Sequence, residues 1–161
     1  MARQYSMVAS FPPINLFAPA ADSAGRTGAY ASLRNCEKAW IEVVVNQGAA
    51  NTVLLSVLQA QDSSGTGSKA VSNAVPIWLQ ADSTAADAYV AQSAATTFTT
   101  SAATKNKTVI FEITPEVALD MANGFNHITV STGSSSASNI TFAQIIIWGS
   151  YQAATPPTSI V

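Results

Sequence analysis

The sequence is short of charged residues, histidine and cysteine. Only 10% of its 161 residues are Asp, Glu, Lys or Arg, with one histidine and one cysteine, whereas about 25% of residues are charged in typical soluble domains. A net charge of -2 without a basic cluster argues against nucleic-acid binding. The lone cysteine excludes an internal disulfide, and so few candidate ligands argue against a transition-metal site. We therefore expect no cofactor and no bound metal.

Long apolar runs are also missing. The longest aliphatic cluster, 145–148, is too short to span a bilayer, so we expect no membrane partner. The N-terminus has one early basic residue, Arg3, and Pro12 and Pro13 interrupt what would be the apolar region of a signal peptide. We therefore expect no export by that route.

No residue set supplies a catalytic constellation. Cys36 and His127 are single residues with no spacing signal for a nucleophile and base, and Glu112 and Glu116 have no predictable mutual geometry. We expect Cys36 to be a small packed residue. His127 alternates out of phase with the apolar positions of its strand, so we expect it to face solvent or an interface. The sequence thus predicts no catalytic residues and a protein that is not an enzyme.

Short runs of Val, Ile, Thr and aromatic residues, separated by Gly, Ser, Asn and Asp clusters, dominate the chain from residue 38. We predict about eight strands, the clearest over 40–46, 108–114, 125–132 and 139–151. A helix is predicted only over 115–121, with Thr114 as its N-cap. This pattern indicates an all-β fold with at most one short helix. We predict a single β-sandwich and favour a jelly-roll-like order over an immunoglobulin-like one.

The first two predicted strands are apolar on both faces in places. A turn-rich link over 46–51 predicts a hairpin between 40–46 and 52–62. Strands that are apolar on both faces belong in the middle of a sandwich or beneath another subunit.

The N-terminal stretch 1–24 is predicted to be an extended arm, because its three prolines prevent a continuous helix. Its large apolar side chains gain little unless they dock on the arm's own domain or on a neighbouring molecule. A second extended end is predicted over 153–161, with the sandwich domain between them over 25–152. The predicted partner-binding residues of the two ends are Val8, Phe11, Pro12, Pro13, Ile14, Leu16, Phe17, Ile160 and Val161.

Several aromatic residues leave an alternative open. Their ordinary use is core packing or an oligomer interface, and the alternative is a sugar-binding face. These residues are Trp40, Trp78, Trp148, Tyr30, Tyr89 and Tyr151.

The sequence resembles the small head decoration, or cement, proteins of tailed bacteriophages over about residues 25 to 160. The N-terminal arm lies outside the resemblance. The segments that carry it occur in the same order in that group: 25–30 (GRTGAY) with Leu33 and Asn35, 46–48 (NQG), 58–60 (LQA) with Asp62, 65–70 (GTGSKA), 105–107 (KNK) with Val109, Phe111 and Glu112, and 122–125 (ANGF).

The resemblance implies a non-enzymatic virion protein that is made in the host bacterial cytoplasm and clamps neighbouring capsomers from the outer capsid surface. Its implied partners are the major capsid protein and sister copies of itself, as a trimer or a dimer. A carbohydrate-binding or host-attachment module of a phage fibre or spike is the alternative function.

Overall fold

The computed structural model describes residues 11–149, and more than half of these lie in strands. A four-residue helix, α1 (Pro115–Ala118), and a 3-10 turn, Met121–Asn123, stand between two of the strands. The strands are β1 (Pro13–Ala21), β2 (Arg26–Thr27), β3 (Ala31–Ser32), β4 (Cys36–Gln47), β5 (Leu54–Ala60), β6 (Lys69–Ala70), β7 (Val75–Gln80), β8 (Val90–Ala95), β9 (Thr97–Thr99), β10 (Asn106–Ile113), β11 (His127–Thr132) and β12 (Asn139–Gly149).

The strands form two antiparallel sheets that pack into one sandwich. Sheet A has the order β1-β12-β4-β10-β7-β8. Sheet B has the order β2-β11-β5-β6, with β3 also paired to β11 and β9 to β5. The predicted all-β sandwich is confirmed.

The strand pairs are nested along the chain. β1 pairs with β12, β2 and β3 pair with β11, β4 pairs with β10, and β5 pairs with β9. Such a nested set describes one long antiparallel hairpin that is rolled over itself, which is the topology of a jelly roll. β7 and β8 lie in the connection between β5 and β9, at the closed end of this hairpin, and they widen sheet A beyond β10.

The core follows from the alternation of side chains along each strand. In β4, Ala39, Ile41, Val43 and Val45 are fully buried, while the residues between them are partly exposed. The same alternation buries one face of each of the other long strands. The buried residues that meet them from β5, β10, β11 and β12 are Leu55, Val57, Val109, Phe111, Ile113, Ile128, Val130, Ala143, Ile145 and Ile147.

The N-terminal stretch differs from the expected arm. Pro13–Ala21 is strand β1, which pairs with β12 along the edge of sheet A. Leu16 is only 4% exposed and belongs to the hydrophobic core, because it reaches the inner face of the sandwich. The sandwich therefore begins at Pro13 rather than at residue 25, while residues 1–10 and 150–161 lie outside the described part of the chain.

The predicted hairpin between β4 and β5 is wrong. β4 lies in sheet A between β12 and β10, whereas β5 lies in sheet B beside β11. The link after Gln47 therefore crosses from one sheet to the other. The predicted helix does form, but it ends at Ala118 and Thr114 makes no side-chain cap.

Candidate functional site

The register of sheet A places nine large apolar side chains on the side away from the core. Inner-face residues of β4, β10 and β12 are buried, so the residues between them point outward. Phe11 joins this surface because its ring lies 6.4 Å from the Trp148 ring. We define the outer face of sheet A by Phe11, Trp40, Val44, Trp78, Ile110, Ile140, Phe142, Ile146 and Trp148.

These side chains remain accessible. Trp148 is 42% exposed, Trp78 and Ile140 are each 36% exposed, and the other six are half-buried. When one face of an antiparallel sheet contacts water, the residues on that face are usually polar. This face instead carries aromatic and branched apolar side chains on four neighbouring strands. A contiguous exposed apolar surface of this kind is typical of an interaction site.

The three tryptophans lie on one diagonal. Trp148 of β12 is opposite Lys38, and Trp40 is two residues further along β4. Trp78 of β7 is opposite Ile110, which is in turn opposite Glu42. Neighbouring strands are about 4.8 Å apart and residues about 3.4 Å apart along a strand, so the diagonal from Trp148 to Trp78 is roughly 20 Å long.

The charged groups on this surface have partners within it. Lys38 Nζ lies 3.3 Å from Glu112 Oε2 and 5.6 Å from the centre of the Trp40 ring. Gln144 Nε2 donates to Glu42 Oε2 at 2.5 Å. Lys38 and Glu112 neutralise each other, whereas Glu42 keeps its negative charge because Gln144 is neutral. A partner therefore meets an apolar diagonal with an ion pair and one carboxylate beside it.

The structure separates the predicted partner-binding residues. Phe11 contacts the outer face of sheet A, and Pro13 is exposed and paired with Ile146 of that face. Ile14 and Phe17 pack against the core. The other placements are Pro12, which is half-buried, Leu16, which lies in the core, and Val8, Ile160 and Val161, which lie outside the described residues.

Most of the outer face was not among the predicted site residues. The available signal was that β4, β10 and β12 carry large apolar residues at both strand phases, as in Trp40 beside Ile41 or Ile146 beside Ile147. In the sequence the three tryptophans belong to a larger aromatic set, for which core packing or an oligomer interface is the expected use and a sugar-binding face is the alternative. Their common diagonal depends on strand order, which the sequence does not reveal.

Cys36 and His127 do not form a reactive pair. Cys36 lies on β4 of sheet A and His127 on β11 of sheet B. Burial raises the pKa of the Cys36 thiol to about 12, so the thiol is protonated at neutral pH. Cys36 is half-buried and packs against the core, as predicted.

The prediction that His127 faces solvent or an interface is wrong, because its side chain is only 8% exposed. Its phase on β11 is outward as expected, but the loop that follows β5 lies beside it. In this loop the Gln61 backbone forms a hydrogen bond with His127, and Asp62 is close enough to interact with it electrostatically. A hydrogen bond between Tyr30 Oη and Ser68 Oγ holds this loop, 61–68, against the chain just before β3. Burial lowers the pKa of His127, and the nearby Arg34 lowers it further.

The Asp62 carboxylate has local hydrogen-bond partners. Asp62 Oδ1 accepts hydrogen bonds from the backbone N–H groups of Ser64 and Thr66, at 2.9 and 3.0 Å, which gives the carboxylate a turn-forming role. Within residues 11–149, no group of three or more His, Cys, Asp and Glu side chains is placed to hold a metal ion. Among the same residues, no helix has the length and apolar character needed to cross a bilayer.

A polar cavity of about 340 Å³ lies where β4 and β10 meet the loop after β7. Lys105 Nζ lies 2.9 Å from Asp82 Oδ2 across it. The hydrogen bond from Thr84, together with Lys105, lowers the pKa of Asp82 to about 2. Its lining residues are Asn46, Gln47, Asp82, Thr84, Thr104, Lys105 and Asn106. Because the two charged groups neutralise each other, this cavity offers a ligand less than the outer face of sheet A does.

No family model and no curated protein matches this sequence. Among solved structures, the crystal structure of SPBc2 prophage-derived protein YomS is similar to this chain with a TM-score of 0.45 and 10% sequence identity. The similarity covers 84% of this chain and 90% of that chain. A structural neighbour of the chain is thus a prophage-derived protein, and a similarity of this size carries no inference about function.

Proposed function

We propose that this protein is a structural virion protein of a tailed bacteriophage, which binds the outer surface of the icosahedral capsid and cements neighbouring capsomers. The observation that supports the proposal is the outer face of sheet A, where Trp40, Trp78 and Trp148 line a diagonal beside the Lys38–Glu112 ion pair. Tryptophan is enriched at the energetic centres of protein interfaces. The resemblance to phage decoration proteins gives this surface its partner, the major capsid protein.

In this proposal the protein acts by mass action and not by catalysis. A protein that binds only the assembled shell raises the free energy needed to take the shell apart. Sister copies, as trimers or dimers, bind repeatedly over the capsid and combine their affinities. The protein is made in the bacterial cytoplasm and resides on the outer capsid surface.

Sedimentation with expanded shells that lack the protein tests the proposal. We expect wild-type protein to co-sediment at saturating occupancy, and Trp78→Ala to bind at least tenfold more weakly, since an interface tryptophan contributes about 2 kcal/mol or more. Leu54→Ala is the matched control, because Leu54 is 43% exposed on sheet B. We expect its occupancy to equal that of the wild type. Equal occupancy for all three proteins would rule out the outer face of sheet A as the docking surface.

The tryptophan diagonal also supports a second candidate, a carbohydrate-binding module of a phage fibre or spike. Flat aromatic rings in a row can stack on successive sugars of an extended glycan. A glycan array followed by titration would show saturable binding that Trp78→Ala removes. Absence of saturable binding, together with shell binding, would eliminate this candidate.

A further inference from the structure

We propose that β8, an edge strand of sheet A, pairs antiparallel with β8 of a second copy of this chain, so that two sandwiches share one continuous sheet. The pairing names the surface through which sister copies meet. Its use on a shell rests on the proposed function, whereas the pairing itself is a property of the free protein.

The other edge of the described sheet, β1, is blocked against a further strand. Pro13 and Pro19 remove two N–H groups from this strand, and its register with β12 shifts twice. The Arg26 guanidinium donates to the carbonyls of Ala18 and Ala20 at 2.8 and 3.2 Å, so these acceptors are already used. Prolines, irregular pairing and occupied backbone groups keep sheet edges from associating.

The β8 edge has fewer of these devices. Within residues 11–149, β8 pairs with β7 alone, and its one register shift lies after Gln92, so the first half of the strand is regular. Residues 88–104 contain no proline and no charged side chain. Gln92 Nε2 donates to the Val90 and Ala91 carbonyls at 3.1 and 3.3 Å. Successive carbonyls of a strand point in opposite directions, so one of these two faces away from β7 and is held by a side chain of its own strand.

Val90 shows that the sandwich leaves sheet A uncovered at β8. Val90 lies opposite Leu79, so the two side chains are on the same face of the sheet, and Leu79 packs against the core. Val90 is nevertheless 61% exposed, and Tyr89 beside it is 40% exposed. A core-facing apolar residue with this exposure has room for a cross-strand neighbour, which a further strand would supply.

A second copy of the chain satisfies the chemistry and the symmetry of this edge. Because residues 88–104 carry no charge, two identical edges meet without like-charge repulsion. Because β1 is blocked, a copy offers β8 rather than β1, and a pair of identical edges closes as a dimer instead of growing into a fibre.

The geometry of the pair also fits a shell surface. Two identical antiparallel strands in one sheet are related by a two-fold axis perpendicular to that sheet. This axis keeps the outer face of sheet A of both copies on the same side. The two tryptophan diagonals then face one surface, which is the arrangement that bivalent binding requires.

The pair should be weak in solution. A regular edge as short as the first half of β8 buries less than about 1,200 Å² in total, which is the range of weak and transient complexes. We therefore expect a dissociation constant above about 1 µM, and a dimer that forms as the protein concentration rises.

Sedimentation equilibrium of the full-length protein tests the pairing without any shell. We expect Val90→Lys to raise the dissociation constant of the dimer at least about tenfold, because it places a lysine from each copy beside the two-fold axis. Met121→Lys is the matched control, since it makes the same charge change at an exposed apolar residue of the 3-10 turn. We expect its dissociation constant to equal that of the wild type.

Hydrogen exchange locates the contact. In the wild type and in Met121→Lys, but not in Val90→Lys, we expect the amides of 90–95 to exchange more slowly as the concentration rises. Protection that does not vary with concentration would assign this edge to a segment of the same chain and overturn the proposal.

Two further results would also overturn it. The wild type could stay monomeric up to about 1 mM, or its dimer could survive Val90→Lys unchanged. If Trp148→Lys dissolves a dimer that Val90→Lys leaves intact, the two copies meet through the outer face of sheet A instead.

The shell assay remains a separate readout. If β8 pairing is found and Trp78→Ala still binds shells like the wild type, the proposed function fails while the pairing stands. If shell binding depends on Trp78 and the free protein stays monomeric, the reverse holds. Where both hold, we expect Val90→Lys to bind shells at least about threefold more weakly, because each copy then binds through one diagonal.

Discussion

The buried side chain of Lys107 joins β10 to the loop that precedes it. Lys107 is 1% exposed, and its Nζ donates to Gln47 Oε1 at 2.6 Å, to the Ser101 carbonyl at 3.0 Å and to the Ala103 carbonyl. Burial lowers the pKa of Lys107, and the charge of Lys105 adds to this effect. All three donors of the ammonium group thus have acceptors, which is the condition under which a buried charge is tolerated.

Replacing Lys107 by methionine should destabilise the fold. The substitution keeps an unbranched apolar chain but removes three hydrogen bonds. Gln47 Oε1 still accepts from Thr100 Oγ1 and the Ser101 carbonyl still accepts from Gln47 Nε2, whereas the Ala103 carbonyl loses the Lys107 donor. We therefore expect a loss of roughly 1 to 3 kcal/mol in the free energy of unfolding. Urea denaturation measures it. Lys105→Met is the control, since its half-exposed ion pair with Asp82 should contribute much less to stability than the buried network around Lys107. Equal losses for the two variants would show that the buried network is not what Lys107 stabilises.

His127 should make the free energy of unfolding depend on pH at less acid pH than the carboxyl groups do. Its pKa is lowered by burial, so between the unfolded value of 6.5 and the lower folded value the unfolded chain binds a proton that the folded protein does not. Stability therefore falls as the pH falls through this range. We expect the free energy of unfolding to decrease from pH 7 to pH 5.

The chain has one histidine, so His127→Gln should remove this decrease. The pKa values of Asp62, Asp82 and Asp120 are lowered from 3.8, and their stabilisation is lost only at more acid pH. An unchanged slope between pH 7 and pH 5 in His127→Gln would show that another group is responsible.

The edge strand β1 is held to its sheet by a side chain as well as by its ladder. Its register with β12 shifts twice, on either side of Phe17. At the second shift, the Arg26 guanidinium donates to the carbonyls of Ala18 and Thr141, at 2.8 and 2.6 Å, and lies 4.5 Å from the centre of the Phe17 ring. The same guanidinium also donates to the Ala20 carbonyl and to Thr141 Oγ1, so its two terminal nitrogens serve four acceptors, whereas an ammonium group has only three donors.

Arg26→Lys should therefore loosen the second half of β1. We expect a loss of roughly 1 to 3 kcal/mol in stability, and faster hydrogen exchange confined to the amides of 17–21. Hydrogen exchange followed by mass spectrometry localises the effect. Arg34→Lys, at an exposed arginine outside β1, should leave exchange in 17–21 unchanged. Uniformly faster exchange over the whole sheet would contradict a local role for Arg26.

Strand content was predictable from sequence, but strand pairing was not. The alternation in 108–114 is a local property, and β10 has the buried and exposed residues that it predicted. The partner of a strand depends on residues far away in sequence. β4 pairs with β10 and β12 rather than with β5, and the turn-rich link between β4 and β5 carries no information about that choice.

The candidate site was predictable only in part for the same reason. Large apolar residues at both phases of β4 indicated a second covered face, and Trp40 and Val44 do lie on the outer face of sheet A. Trp78 and Trp148 are separated by 70 positions in sequence but lie only three strands apart in sheet A. Their proximity is therefore a consequence of the rolled hairpin and leaves no local pattern.

At the scale of the whole molecule, the position of β1 changes which truncations should be tolerated. A chain without residues 1–10 keeps all of β1, so we expect its melting temperature to stay within about 4 °C of the wild type. A chain without residues 1–24 loses β1 together with the core residue Leu16, and we expect its melting temperature to fall by more than about 8 °C. Calorimetry compares the two. Similar values would place β1 outside the cooperative unit.

The nesting of β1 with β12 has a consequence for how the protein is synthesised. In sheet A, β12 lies between β1 and β4. The first strand of the chain, β1, therefore cannot join the sheet until residues 139–149 have left the ribosome. Until then, the strands of sheet A that have already been synthesised lack β12, and their apolar faces are not covered by a completed sandwich. Sheet A can therefore reach its full strand order only after residues 139–149 have been synthesised, and a stalled chain that ends before residue 139 lacks the strand that joins β1 to β4.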